Sequence, residues 1–191
     1  MEASDVTNHV IEDLVTGSLP WDQAKQLIRL DPKDNDRFWK YLAVLQSRVK
    51  WKEKILIRIS EHLYVVAKGK DRIVKCDCGQ EFGDYRMNWK LQAKIFVRRT
   101  PEEMAEVYSI DISSPETRLV ELREYYCPGC YSLLATEVLP PGFPPFFEML
   151  PDLDTLYREW LGKPLADESP GWFEDKTLEL TAEWGRGGVK A

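Results

Sequence analysis

KCDCGQEFGDYRMNWK, residues 75–90, and YYCPGCYS, residues 125–132, contain all four cysteines of this 191-residue chain: Cys76, Cys78, Cys127 and Cys130. Zinc takes four soft donors near a tetrahedron, and close cysteine pairs on tight turns are a common way for a chain to supply them. The two pairs therefore favour a single structural zinc site. Such a site would hold the middle of the chain together without taking part in a reaction.

The two pairs differ in how well they match a zinc knuckle. The segment 127–130, with Pro128 and Gly129 between its cysteines, suits the tight turn around an ion. The segment 76–78 is one residue shorter than the usual spacing, although Gly79 permits a close backbone approach. Four alternatives stay open: a thioredoxin-like redox motif, which would begin a helix, a pair of disulfides, unrelated buried thiols, and an iron–sulfur cluster.

The composition is typical of a globular protein with a small negative net charge. Hydrophobic residues make up 43% of the chain, aromatic residues 12%, and the formal net charge is -6. We expect no nucleic-acid partner, which would want a clustered basic surface, and no membrane span, which needs about 20 consecutive apolar residues. The polar start MEASDVTNHV does not resemble a secretory signal, so we expect a cytoplasmic location and reduced cysteines.

Residue patterns predict an α+β fold in three regions. Residues 1–54 read as a helical N-terminal layer, with Asp5 capping the first helix and Pro20 at the first position of the second. Its apolar stripes include Trp21, Leu27 and Ile28.

Residues 55–138 read as a zinc-ribbon-like β domain with an inserted strand and helix. KILIRIS, LYVVAK and RIVKC are rich in β-branched residues, and the alternation over residues 91–97 predicts a half-buried strand. TPEEMAEVY predicts a short helix with a capping box between Thr100 and Glu103. The segments before and after Cys127 read as two further strands.

Residues 139–191 read as a proline-rich C-terminal arm with one helix near 152–161. Its predicted apolar stripe is Leu153, Leu156, Tyr157, Trp160 and Leu161. The acidic end of this arm is expected to be ordered only if it lies on another surface.

No catalytic constellation emerges from the other candidate residues. His9 and His62 are isolated in the sequence, and Asp152 and Asp154 read as a helix cap and a first-turn acid. Arg98 and Arg99 suggest a solvated edge or a partner contact. FGDYRMNWK, with Tyr85, Arg86, Asn88 and Trp89, suggests either a packed flank of the ribbon or a docking surface.

The chain resembles the gamma (small) subunit of acetone carboxylase and of related ketone (acetophenone-type) carboxylases. The likeness covers about residues 8–165 and is most specific in KCDCGQEFGDYRMNWKLQAKIFV, followed by REYYCPGCYSLLATEV and PDLDTLYREWLGKPL. Tyr131 departs from it, since the family often has glycine there, and so does the longer tail beyond Leu165.

The resemblance implies a role in a large hetero-oligomer. Those enzymes use ATP to join a ketone and bicarbonate into a β-keto acid, with nucleotide, catalysis and any catalytic metal on large hydantoinase-like alpha and beta subunits. It implies a non-catalytic, zinc-bearing structural subunit, and only Cys76, Cys78, Cys127 and Cys130 carry over as metal ligands. The alternatives are a free-standing zinc-ribbon interaction module or regulator and, less favoured, a thiol oxidoreductase.

Overall fold

The fold begins with a layer of three short helices. The computed structural model of the chain describes residues 2–108 and 116–186 (residues 3 and 183–186 by backbone only). Its first helices are α1 (Asn8–Thr16), α2 (Trp21–Arg29) and α3 (Arg37–Arg48). Buried side chains of these helices and of residues that flank them form one small core: Val6, Ile11, Leu27, Leu30 and Val44. None of the helices in the described residues is long and apolar enough to cross a membrane.

Three details of this layer differ from the sequence prediction. The residue that caps α1 is Thr7, whose hydroxyl accepts a hydrogen bond from the Val10 backbone, and not Asp5. Pro20 precedes α2 as its N-cap and is not its first helical residue. Within the predicted stripe of α2, Leu27 is buried but Trp21 and Ile28 are exposed, because the helix is covered on one side only.

A four-stranded antiparallel sheet follows the helices. Its strands are β1 (Lys54–Arg58), β2 (Leu63–Lys68), β3 (Asp71–Cys76) and β4 (Glu81–Asp84), side by side in that order. The β-branched runs predicted as strands therefore form three consecutive strands, joined in part by a turn in which Gly69 has a φ of +64°. Cys76 is the last residue of β3.

A second antiparallel sheet contains β5 (Lys94–Arg98), β6 (Glu121–Tyr126) and β7 (Leu133–Leu139), in that order. Helix α4 (Pro101–Ala105) lies between β5 and β6 in the chain and has the predicted capping box between Thr100 and Glu103. The strand predicted over residues 91–97 begins only at Lys94, because Trp89–Gln92 forms a 3-10 turn. Its predicted alternation fails at Ile95, which is 44% exposed, as is Phe96 on the opposite face.

The C-terminal region contains more regular structure than the sequence predicted. Asp152 caps helix α5 (Leu153–Thr155), which continues as a π-helical turn over Leu156–Trp160. A 3-10 turn at Pro170–Phe173 and a second helix, α6 (Thr177–Arg186), correct the prediction of one helix. Trp160 is 80% exposed and so does not belong to the buried stripe.

The C-terminal arm packs on its own chain. Trp172 lies against two guanidinium groups, with 4.7 Å from Arg72 and 4.5 Å from Arg86 to the centre of its ring. Tyr85 donates a hydrogen bond to the Trp172 carbonyl, and Arg86 donates one to the Gly171 carbonyl. The surface that orders the arm is therefore the flank of the first sheet and the segment after β4.

The largest core cluster of the described residues joins side chains of α3, of both sheets and of the C-terminal region. Phe38 and Trp39 of α3 pack edge-on against Tyr157 of the C-terminal region, whose hydroxyl donates to the Leu56 carbonyl of β1. The division into residues 1–54, 55–138 and 139–191 stays a prediction.

Candidate metal centre

The four cysteine sulfurs converge although the two pairs are far apart in the sequence. All four sulfurs lie within 4.8 Å of one another. The distance between Cys76 Sγ and Cys130 Sγ is 3.9 Å, and that between Cys78 Sγ and Cys127 Sγ is 3.7 Å. A tetrahedron with zinc–sulfur bonds near 2.3 Å has sulfurs about 3.8 Å apart. The donor set therefore fits a zinc ion, and four thiolates would fill its coordination shell.

The first pair lies on a tight turn between β3 and β4. The Cys76 backbone N–H donates to the Gln80 carbonyl over 2.8 Å, and the Gly79 N–H donates to the Cys76 carbonyl over 2.9 Å. Gly79 has a φ of +102°, in the region that glycine adopts without strain. Trp51 Nε1 donates to the carbonyls of Cys76 and Asp77 over 3.1 Å each. These bonds hold the short Cys-x-Cys turn in the conformation that brings both of its sulfurs into the cluster.

The second pair lies on a turn between β6 and β7. The Cys127 N–H donates to the Ser132 carbonyl, and the Tyr131 N–H donates to the Cys127 carbonyl. Tyr131 has a φ of 60°, a conformation that costs a non-glycine residue about 1 kcal/mol or more. A glycine at this position would avoid this cost.

Gly129 allows the two turns to approach each other. A Cβ atom placed there would lie 3.2 Å from Gln80 Cβ and 3.4 Å from Cys78 Sγ. The first of these contacts is shorter than an ordinary van der Waals separation of carbons. A larger residue there would require Gln80 to shift by a few tenths of an ångström.

The thiols have different environments. Cys76 and Cys127 are buried, whereas Cys78 and Cys130 are exposed. Burial raises the pKa of Cys76 and of Cys78. Burial also acts to raise the pKa of Cys130, but hydrogen bonds, first of all from Ser132, outweigh it and lower that pKa to about 7. A cation at the centre of the cluster would favour the thiolate form of all four.

The surroundings of the cluster also bear on the alternative interpretations. The four cysteines are free thiols in this structure. The residue run after Cys130 forms strand β7 and not the helix that a thioredoxin-like motif begins.

His62 is the residue near this site that sequence reasoning missed. Its Nδ1 lies 2.8 Å from Asp77 Oδ2, and Asp77 Oδ1 lies 3.2 Å from Cys76 Sγ. The pairing of Leu63 with Cys76 across β2 and β3 explains the position, because it places the preceding histidine beside the turn. The hairpin was predicted, and its register would have indicated this contact.

The other candidate residues lie elsewhere and have local partners. His9 pairs with Asp13 within α1. Asp154 lies in the first turn of α5, as predicted, and also forms an ion pair with Arg72 over 2.6 Å. The predicted solvated edge is present at Arg99, whose side chain is 66% exposed and pairs with Glu121. It is wrong for Arg98, the last residue of β5, which is buried and pairs with Glu124.

The segment FGDYRMNWK is a packed flank that the arm covers. Tyr85, Asn88 and Trp89 are buried. The Asn88 N–H donates to the Thr177 hydroxyl, at the start of α6. Of the two interpretations of this segment, the packed flank is the one present in the structure.

Comparison with known proteins identifies the family to which the chain belongs. A family model described as "Acetone carboxylase gamma subunit" matches residues 49–161, a range that includes both cysteine pairs. The chain belongs to the acetone carboxylase gamma subunit family. The acetone carboxylase gamma subunit of Xanthobacter autotrophicus is 36% identical to it over 165 residues, which cover 85% of this chain and 97% of that relative.

A second relative matches this gamma-subunit family member over a shorter stretch of sequence. The acetophenone carboxylase beta subunit of Aromatoleum aromaticum is 35% identical over 81 residues, which cover 42% of this chain and 63% of that relative. The predicted likeness to both kinds of carboxylase subunit is thereby confirmed.

Proposed function

We propose that this chain is the zinc-binding, non-catalytic gamma subunit of an ATP-dependent ketone carboxylase. In this proposal the chain packs on large, hydantoinase-like alpha and beta subunits in the cytoplasm. Those subunits bind ATP and any catalytic metal and join a ketone with bicarbonate to give a β-keto acid. The observation that carries the proposal is family membership over residues 49–161, the range that contains the four clustered thiols.

The proposed zinc ion is structural. Cys76, Cys78, Cys127 and Cys130 would hold it, and their spacing supports this assignment because four sulfurs leave no position open for water or substrate. When bound, the ion supplies only a cross-link between the two sheets. In isolated zinc-finger peptides such a cross-link is worth about 10–16 kcal/mol near neutral pH.

The experiment is purification of the chain from its own host with an affinity tag at the N-terminus. We expect two larger chains to elute with it in a fixed ratio, and the complex to carboxylate a ketone when ATP and bicarbonate are supplied. Parallel assays with acetone and acetophenone would identify the substrate class. Elution of the tagged chain alone, monodisperse and fully soluble, would overturn the proposal.

The second candidate is a free-standing zinc-ribbon interaction module. The observation in its favour is the number of large apolar side chains that the described surface exposes, among them Trp21, Phe146 and Trp160. Such a module would hold zinc but would bring down no carboxylase activity. The same purification therefore separates the two functions.

A further inference from the structure

A cleft of about 490 Å³ lies in the helical layer, between α1 and α3. Its apolar walls are Ile11 and Leu14 of α1 and Phe38 and Tyr41 of α3. Ile11 is buried, whereas Leu14 is 45% exposed, so part of the wall is open to solvent. Small-molecule sites are typically clefts of about 300–1,000 Å³ that have mostly apolar walls and a few polar groups. The size and the lining of this cleft match that description.

The apolar walls follow from the spacing of these residues along their helices. Ile11 and Leu14 are three positions apart in α1, and Phe38 and Tyr41 are three positions apart in α3. Each pair therefore lies on one face of its helix. The two helices pack against each other, so the walls belong to regular elements and not to a loop.

Among the described residues that line the cleft, only Asp34 is acidic, and its charge is compensated within the wall. The side chain of Asp34 is 3% exposed, and Arg37 Nε donates to its Oδ1 over 2.7 Å. Asp34 Oδ2 is buried from solvent, and Lys40 Nζ lies 3.9 Å from it. Asp34 therefore presents little negative charge to a molecule in the cleft.

The lining also contains donor groups that are not fully used. Lys33 is exposed, and its Nζ donates to the Ile28 carbonyl, a bond that limits where the ammonium group can lie. In the part of the chain that the structure describes, Lys33 has no carboxylate partner. Within the same residues, the Asn35 amide and the Tyr41 hydroxyl have no hydrogen-bond partner. An ammonium group has three N–H donors, so Lys33 retains two.

The start of α3 adds a field that favours an anion. This helix of 12 residues begins at Arg37, and its N-cap Asp36 makes no side-chain capping hydrogen bond. Asp36 is instead paired with Lys40 over 2.7 Å. The first backbone N–H groups of a helix have no intrahelical partner, and they form the positive end of its dipole. Phe38 belongs to this first turn and lines the cleft, so the dipole adds to the charge of Lys33.

We propose that the cleft between α1 and α3 binds a small amphipathic carboxylate, an organic acid with an aromatic or aliphatic body. The body packs against Leu14, Phe38 and Tyr41, and the carboxylate accepts hydrogen bonds from Lys33 and Asn35. A neutral ligand would leave Lys33 without a partner, and an ammonium ligand would meet a like charge there. The inference goes beyond the proposed function and does not depend on it.

The test is equilibrium dialysis of labelled 4-phenylbutanoate against the full chain, purified with any subunits that elute with it. We expect one saturable site per copy of this chain. Lys33→Met should weaken binding at this site about tenfold, because it removes a charged donor and keeps the length of the side chain. Leu14→Glu should weaken it at least as much, because it replaces an apolar contact with a like charge. Thermal unfolding of both variants should be unchanged, since both side chains are at least half-exposed or nearly so.

The matched control is Lys70→Met, which removes an exposed lysine from the turn between β2 and β3 and should bind as the wild type does. Two further probes, 4-phenylbutan-1-ol and 4-phenylbutylamine, have the same apolar body and isolate the effect of charge. The alcohol should bind about tenfold more weakly than the acid, and the amine more weakly still.

Several outcomes would overturn the inference. One is the absence of a saturable site, and another is equal binding by the Lys33→Met and Lys70→Met variants. Equal binding of the acid and the alcohol, or tighter binding of the amine, would show that the cleft does not select a carboxylate. None of these results affects the proposed function, because that function is tested by the subunits that elute with the chain.

Discussion

Arg72 and Asp167 form a two-bond ion pair although 95 positions separate them in the sequence. Nε lies 3.0 Å from Oδ2, and Nη2 lies 2.9 Å from Oδ1. Arg72 is 1% exposed, so the C-terminal arm completes the environment of a buried strand residue. Bidentate geometry of this kind also fixes the orientation of both groups.

Asp167→Asn should loosen the arm. The amide cannot accept two charge-assisted hydrogen bonds from Arg72, so residues 166–177 should exchange their amide hydrogens faster, while the strands of both sheets keep their protection. Hydrogen exchange measured by mass spectrometry checks this. Glu174→Gln is the matched control, because no ion pair of Glu174 occurs within the described residues. Equal exchange in both variants would contradict the role of the pair.

The same pair predicts how docking of the arm depends on pH. The hydrogen bond from Arg72 lowers the pKa of Asp167 below its ordinary value of about 4. Its stabilising contribution is therefore complete above that ordinary value and is lost as the pH falls through the lowered pKa. The ratio of the amide hydrogen exchange rate in residues 166–177 to that in the two sheets should be constant between about pH 5 and 8. This ratio should rise below about pH 4. Asp167→Asn should lack this component of the rise.

Gly129→Ala should weaken metal binding. The added Cβ would lie 3.2 Å from Gln80 Cβ, so Gln80 must shift by a few tenths of an ångström, and we expect this shift to disturb the arrangement of the sulfurs. We expect faster transfer of zinc to a chromophoric chelator. Gly171→Ala is the control, since its Cβ would meet only Ser169 Oγ at 3.7 Å. Indistinguishable transfer rates for the two variants would show that the turns do not need this close approach.

Cys127→Ser should abolish stoichiometric zinc binding and lower the stability of the chain. The hydroxyl is a poor zinc ligand, and three thiolates leave the shell open. Elemental analysis should give about one zinc ion per wild-type chain and far less for the variant. Ser132→Ala keeps all four thiols and should keep the metal. A variant that retained stoichiometric zinc would exclude Cys127 from the ligand set.

Lys90→Met should destabilise the chain by about 3–5 kcal/mol, because it leaves the buried carboxylate of Glu137 without its cation. Adding Glu137→Gln should recover part of this loss, since the uncompensated charge is then removed. Denaturant unfolding of the zinc-loaded chain measures both free energies. The exposed Lys94, changed to Met, should alter stability by no more than about 0.5 kcal/mol. A loss of that small size for Lys90→Met would contradict the buried network.

Local patterns explain what could be predicted from the sequence. The β-branched runs in β1–β3 determine strands directly, because their side chains fit a pleated surface. The capping box between Thr100 and Glu103 involves residues three positions apart, and both of its hydrogen bonds form as expected. The spacing of Cys127 and Cys130 likewise predicted a ligating turn, and the four sulfurs are indeed close together.

Tertiary contacts decided what could not be predicted. Trp160 is exposed because its side of the turn does not face the core. The spacing of the apolar residues does not determine which side of the turn packs against the core. The packing of the arm includes an ion pair with Arg72, which in the sequence has the pattern of an ordinary polar strand residue. The proximity of His62 to the cysteine cluster required the register of β2 against β3.

The distance along the chain between the two cysteine turns also constrains biosynthesis. If the four thiols hold a metal ion as proposed, Cys76 and Cys78 leave the ribosome as an incomplete donor set, about fifty residues before the second pair. Over that interval they are open to oxidation or to capture of a stray ion. A cell that makes this protein therefore has reason to keep the growing polypeptide reduced until Cys130 has emerged.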